Sequence, residues 1–221
     1  QELHRAVSEG FSEDQVFRID HYLAKDTVQN IFMFRFANTV FEPIWNRNYV
    51  DYVSIVAAES LGVSKRAGYY EQAGVLRDMF QNHMMQLLAL VASEPPAHMG
   101  AAQVRDERTK LFRSLEPFDT DRLFNNLVLG QYGQGIVDGQ PVPAYREEEG
   151  IEPDSLTPTY ATMRLMVDNW RWQGVPFYLT SGKRLKTKRT RITVQFKPVP
   201  HSMLRRELGS PISANRLELD I

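Results

Sequence analysis

The sequence predicts an α+β fold built on a mostly antiparallel sheet, and three observations predict it. Apolar residues recur at helical spacing through the first half of the chain, most continuously from Tyr69 to Ala92. From Leu123 onward the texture changes to short β-type segments split by Gly, Pro and Asp turns. No helical pattern intervenes between those segments, so they are expected to pair with near neighbours rather than through crossovers.

Taken in order, Leu3 to Val7 reads as the tail of a helix ended by Gly10, and Val16 to Leu23 alternates as a strand. Asp26 and Thr27 offer an N-cap to a run in which Val28, Ile31, Phe32 and Arg35 share a face, with Phe34 and Phe36 widening it; Pro43 is the expected stop. Tyr49 to Ala58 is β-rich, and Gly62 to Gly68 reads as a loop. Tyr69 to Ala92 follows as the longest helix, weakened only by Gly74 and ended by Pro95 and Pro96. Ala101 to Arg113 is a shorter amphipathic helix. The strands expected are Leu127 to Tyr132, Thr159 to Val167, Phe177 to Thr180, Thr190 to Phe196 and Leu217 to Ile221, with residues 133–158 as a long loop.

Composition narrows the function. The 221 residues are 43% hydrophobic and 11% aromatic, enough for a real core and for one large domain with an appended piece. Lys+Arg 26 against Asp+Glu 27 leaves a net charge of -1, which disfavours nucleic acid as the main partner. The absence of cysteine removes disulfide scaffolds, thiolate nucleophiles and zinc-thiolate sites, and fits a reducing cytoplasm. No run of about 18 apolar residues is present, so no membrane span is expected. Gln1 and the polar opening lack the order of a signal peptide, and the chain reads as part of a longer one.

Three segments gather chemistry. Arg18 to Lys25 lies at a strand exit and helix entrance, where free N–H groups with His21, Tyr22 and Lys25 suit an anion; a capped strand end with a solvated lysine is the plainer alternative. Arg77 to Gln86 puts polar groups into an apolar helix, either as a satisfied core network or as a site. At α-helical pitch Asp78 and His83 stand roughly 140° apart, suited to flanking a ligand, and an orienting carboxylate for His83 is expected from another segment. Gly182 to Arg191 is a cationic cluster that reads as a solvated hairpin or an anion site. Gly130 to Gly135 has the dinucleotide glycines in the wrong order and reads as a turn. Nucleophile-elbow, Walker and zinc-protease motifs are missing.

Together, Arg18-Ile19-Asp20-His21-Tyr22-Leu23-Ala24-Lys25, Glu59, the Arg77-Asp78 to His83 helix, Gly174-Val175-Pro176-Phe177 and Ser181-Gly182-Lys183 resemble the glucose-6-phosphate dehydrogenase family. The resemblance is collinear from Val16 to the C-terminus and includes Pro43-Ile44-Trp45-Asn46-Arg47 and Asp168-Asn169-Trp170-Arg171-Trp172. It implies a large, mostly antiparallel sheet with helices on one face, preceded by the last helix and strand of a Rossmann-type coenzyme domain. Residues 1–23 would then end the dinucleotide-binding domain, and 24–221 would form a C-terminal substrate-binding and dimerisation domain, itself truncated.

The function implied is oxidation of D-glucose 6-phosphate to 6-phospho-D-glucono-1,5-lactone with hydride transfer to NADP, alone or with NAD as well, and without a metal. By resemblance His83 is the general base and Asp20 holds its useful tautomer, while His21 and Tyr22 meet the phosphate and Lys25 lies near the reacting end. Glu59 and Asp78 would accept hydrogen bonds from sugar hydroxyls, and Lys183 and Lys188 match the cations of a closing loop. The main coenzyme site would lie upstream, and a homodimer or homotetramer through the sheet is implied. Thr180 and Lys188 stand where animal enzymes carry arginine, so the likeness is to the bacterial type. The alternative is a non-catalytic sugar-phosphate-binding or dimerisation module of the same fold.

Overall fold

The computed structural model describes residues 2–12, 15, 16, 20, 26–201, 203, 207, 209 and 212–221. Five α-helices are described: α1 (Glu2–Gly10), α2 (Asp26–Phe36), α3 (Ala67–Val75), α4 (Met85–Ala92) and α5 (Ala101–Arg113). A π-helical segment, Leu76–Met84, joins α3 to α4. Eight strands are described: β1 (Val50–Ala58), β2 (Leu127–Gly130), β3 (Gly135–Val137), β4 (Gln140–Val142), β5 (Tyr160–Met166), β6 (Pro176–Gly182), β7 (Arg189–Phe196) and β8 (Arg216–Asp220). The strand expected over Val16 to Leu23 falls mostly outside the described residues.

Six strands form one sheet in the order β2-β5-β6-β1-β7-β8. Period-two alternation builds its inner face. In register, Met163, Leu179, Ile55, Ile192 and Leu219 make one cross-strand row, and Leu165, Phe177, Val53, Val194 and Leu217 the next. These rows pack in one core with Ile31 and Phe32 of α2, Leu87 to Ala92 of α4 and Leu111 of α5. Each fully buried Leu, Ile, Val or Phe contributes roughly 1.5–3 kcal/mol. The opposite face carries Tyr52 edge-on to Tyr178, Thr162 bonded to Thr180, and Arg191 paired with Glu218 and Asp220.

One pairing departs from expectation: β1 runs parallel to β6, while the other four neighbouring pairs are antiparallel. A parallel neighbour needs a long crossover, and the helices together with β2 and β5 supply it. The cationic stretch is consequently not a hairpin. Ala58 is opposite Gly182 on one side and Arg189 on the other, so residues 183–188 step across the end of β1 to join its two flanking strands. A side chain on Gly182 would come within 2.7 Å of Tyr160 Cδ2 and 3.3 Å of its Cα, which only glycine avoids.

The long helix also differs. Gly74 has φ 59 and ψ 177, open to glycine, and the helix breaks there; the freed N–H of Val75 donates to the Pro158 carbonyl at 2.9 Å. Helix α2 ends at Phe36 rather than Pro43, because the Asn38 side chain donates to the Phe34 carbonyl at 2.9 Å, and Pro43 opens a 3₁₀ turn instead. Within the expected 133–158 loop, Asp138 and Gly139 both take positive φ and form the tight turn of the β3–β4 hairpin.

Helix α4 is anchored at its C-terminus, where the last carbonyls have no intrahelical partner. Trp45 Nε1 donates to Val91 O at 2.8 Å and Trp172 Nε1 to Ala92 O at 2.7 Å. The fully buried Arg35 donates to Leu90 O at 2.9 Å and Ser93 O at 3.0 Å. Its guanidinium is balanced by Glu42 at 3.2 Å, which also meets Arg171 at 2.8 Å. Burial pulls the Arg35 pKa down to about 10, partly offset by Glu42. Among the described residues no helix is long and apolar enough to cross a membrane.

Candidate active site

His83 sits near the end of the π segment, two residues before the anchored α4 begins. Its Nδ1 lies 2.8 Å from Asp20 Oδ1, with both side chains mostly buried. An ionised carboxylate can only accept, so the shared proton belongs on Nδ1, and in the neutral imidazole Nε2 is then the nitrogen with the free lone pair. The carboxylate beside His83 thus comes from another segment, as expected. Arg108 of α5 stands behind Asp20. Burial lowers its pKa, with the Asp20 charge raising it, and its Nε is buried without a hydrogen-bond partner.

The π geometry corrects the expected 140° between Asp78 and His83. An i→i+5 hydrogen-bond repeat turns less per residue than an α-helix, so residues five apart lie closer to one face than that. Asp78 is buried and is held by Arg66, Nη2 to Oδ1, at 2.9 Å.

The second half of the site grows from the parallel pair. Because β1 and β6 end side by side, the residues that follow them, Glu59 and Lys183, are neighbours; Glu59 N donates to Gly182 O at 3.0 Å and Leu185 N to Glu59 O at 2.9 Å. Lys183 Nζ donates to Glu59 Oε2 at 2.5 Å and lies 3.8 Å from Asp78 Oδ2. Only 7% of the Lys183 side chain is exposed, and these carboxylates are the opposite charges beside it. The Tyr70 ring lies beneath, its centroid 5.2 Å from Nζ. Burial, then the charges of Asp78 and Glu59, push the Tyr70 hydroxyl well above the usual tyrosine range.

The structure therefore joins Asp20 to His83, and Glu59 and Asp78 to Lys183. It does not bring in Lys188, which stands exposed on the crossover without a partner among the described residues. His21, Tyr22 and Lys25 lie outside the described residues. Arg66, Tyr70 and Arg108 were not singled out from the sequence. Arg66 and Arg108 sit among surface-type charges, whereas Tyr70 had a signal, four residues before Gly74 on a helix with a buried face.

Chemically, the arrangement offers a tautomer-fixed imidazole, two carboxylates able to accept from hydroxyls, and one buried ammonium able to hold an anion. No Gly-rich strand-to-helix turn of the kind that cradles a pyrophosphate occurs among the described residues, so none is assigned to a coenzyme. No group of three or more His, Cys, Asp or Glu among them is placed to hold a metal ion.

Comparisons with known proteins point to one family. The family described as "Glucose-6-phosphate dehydrogenase, C-terminal domain" matches residues 32–221, and "Glucose-6-phosphate dehydrogenase, NAD binding domain" matches residues 1–30. The chain is 50% identical over 203 residues to the glucose-6-phosphate 1-dehydrogenase of Bacillus subtilis (strain 168), covering 92% of this chain and 42% of that protein. It is 51% identical over 217 residues to that of Zymomonas mobilis subsp. mobilis, covering 98% and 44%. Of solved structures, a glucose-6-phosphate dehydrogenase in complex with its substrate glucose-6-phosphate superposes with TM-score 0.88 at 36% identity, covering 99% of this chain and 43% of that one. The Mycobacterium avium glucose-6-phosphate 1-dehydrogenase gives 0.84 at 34%, covering 99% and 46%. The chain spans about two fifths of the length of the curated relatives it matches.

Proposed function

Because the chain belongs to the glucose-6-phosphate dehydrogenase family, we propose that it carries the proton-accepting and sugar-holding part of an active site that oxidises D-glucose 6-phosphate to 6-phospho-D-glucono-1,5-lactone. A nicotinamide coenzyme, NADP in this reading, supplies the hydride acceptor. The observation that carries the proposal is the 2.8 Å contact of His83 Nδ1 with Asp20, which leaves Nε2 as a base of fixed direction.

In this reading His83 Nε2 takes the proton of the sugar C1 hydroxyl as the C1–H electron pair departs, and C1 becomes the lactone carbonyl. Asp20 supports the imidazolium that forms. Glu59 and Asp78 accept from ring hydroxyls, which orients C1, and Lys183 supplies positive charge at the same end of the sheet. His21, Tyr22, Lys25 and Lys188 complete the sugar-phosphate site on the strength of resemblance alone. Residues 1–23 then end the coenzyme domain, residues 24–221 form the substrate domain, and the open sheet face serves a homodimer or homotetramer.

The test is glucose 6-phosphate-dependent NADPH formation by the full-length gene product, with glucose and fructose 6-phosphate as comparison substrates. Turnover restricted to glucose 6-phosphate is expected. Equal turnover of free glucose, or none with any sugar, overturns the assignment.

A further inference from the structure

We propose that Tyr70 is a positioning residue for Lys183, its buried ring fixing the ammonium where β1 and β6 end and so setting the affinity for the sugar phosphate rather than the rate of chemistry. This rests on the reading above that Lys183 supplies positive charge to the sugar-phosphate site. The lysine stem is long and flexible, and an ammonium buried this deeply must be directed by its surroundings. Glu59 holds it at 2.5 Å, but Asp78 is farther, at 3.8 Å, and is committed to Arg66 at 2.9 Å. The face of Tyr70, 0% exposed, also lies against the ammonium, with the ring centroid 5.2 Å from Nζ.

That ring is itself held. Tyr70 packs edge-on to Tyr145 with centroids 6.2 Å apart, and Tyr145 edge-on to Tyr132 at 5.6 Å. The Tyr145 hydroxyl donates to Glu71 at 2.5 Å and the Tyr132 hydroxyl to Glu148 at 2.8 Å. Glu148 in turn receives Arg184 at 2.9 Å, and the Arg184 guanidinium lies 5.9 Å from the centroid of Tyr132. Two consecutive cations of the crossover therefore rest on the two ends of one tyrosine row. The Tyr70 hydroxyl, by contrast, is buried with no hydrogen-bond partner. The ring face, with its negative quadrupole, is the part in use.

The experiment is steady-state kinetics and glucose 6-phosphate binding with the full-length gene product. Tyr70→Leu should raise KM and Kd for glucose 6-phosphate at least about fivefold, the scale of a desolvated cation–π contact, with kcat changed less than about twofold. Tyr70→Phe should restore affinity to near the native value. In a Lys183→Ala background Tyr70→Leu should cost nothing further, because the group it directs is gone. Equal losses in Tyr70→Leu and Tyr70→Phe, or additive losses with Lys183→Ala, overturn the proposal. Where Tyr70→Leu fails to fold, fluorinated phenylalanines of increasing fluorine count at position 70 decide: a graded rise in KM supports the ring face, and a flat series overturns it. If Lys183→Ala alone leaves glucose 6-phosphate affinity unchanged, it is the underlying reading of Lys183 that fails.

Discussion

His83 and Asp20 are separated by 63 positions in sequence and by 2.8 Å in space, Nδ1 to Oδ1. A contact of that kind does two things at once. It fixes which ring nitrogen bears the proton, and it places a negative charge where an imidazolium would form.

His83→Asn is expected to lower kcat by at least ~10²-fold, since a positioned base contributes about 10² to 10⁴ in rate. Asp20→Asn should also slow kcat, while leaving KM for the sugar phosphate nearly unchanged. The double variant should be little slower than His83→Asn alone, because an orienting group has no task without its base. Additive losses in single-turnover kinetics would leave Asp20 as a structural residue.

The anchor of α4 gives a stability prediction. Arg35→Met keeps volume but strips the donors from Leu90 O and Ser93 O and the buried charge partner from Glu42. The expected cost is about 2–4 kcal/mol by urea denaturation, with Arg35→Lys recovering only part of it, because an ammonium cannot reproduce a planar fork. A change in Arg35→Met below about 0.5 kcal/mol would show that the carbonyls find other partners.

The edge strand β8 carries a pH dependence. Hydrogen bonding from Arg191 brings the Asp220 pKa from 3.8 down to about 2. A carboxylate lowered on folding adds stability that is present above its unfolded value and is lost as pH falls through the folded one, so the window runs from about 4 down to about 2. NMR titration should find the Asp220 carboxyl near 2, and Asp220→Asn should flatten this part of the acid-unfolding curve. An unperturbed titration would place the pair open in solution.

Much of this fold was legible, because a strand buried on one face writes its period into the sequence. Thr159 to Val167 and Thr190 to Phe196 agree with β5 and β7 to within a residue at each end, and helix α5 agrees throughout. Even Arg35 falls on the face that the spacing marks as inward. Strand direction was not legible, since alternation looks alike read either way, and so the parallel β1–β6 pair was missed. The depth of Lys183 was hidden for a related reason. A run of cations reads as surface unless the partner that buries one of them, here Glu59 across the sheet, is known. The dyad was legible only through resemblance, because no local spacing links Asp20 to His83.

The wide turns of residues 76–84 have a consequence for what counts as part of this site. His83 follows Asp78 by five positions, and i→i+5 winding brings the two closer to one face than an α-helix would. If the same segment tightened into an ordinary α-helix, with every side chain retained and α4 still fastened at its far end, Asp78 would swing until it stood about 140° around the axis from His83. Such a turn would carry the carboxylate away from Lys183, whose Nζ lies 3.8 Å from it. Pitch is thus an ingredient of the arrangement alongside the side chains themselves, and a substitution that alters only backbone hydrogen bonding between Leu76 and Met84 would change how Asp78, His83 and Lys183 are disposed.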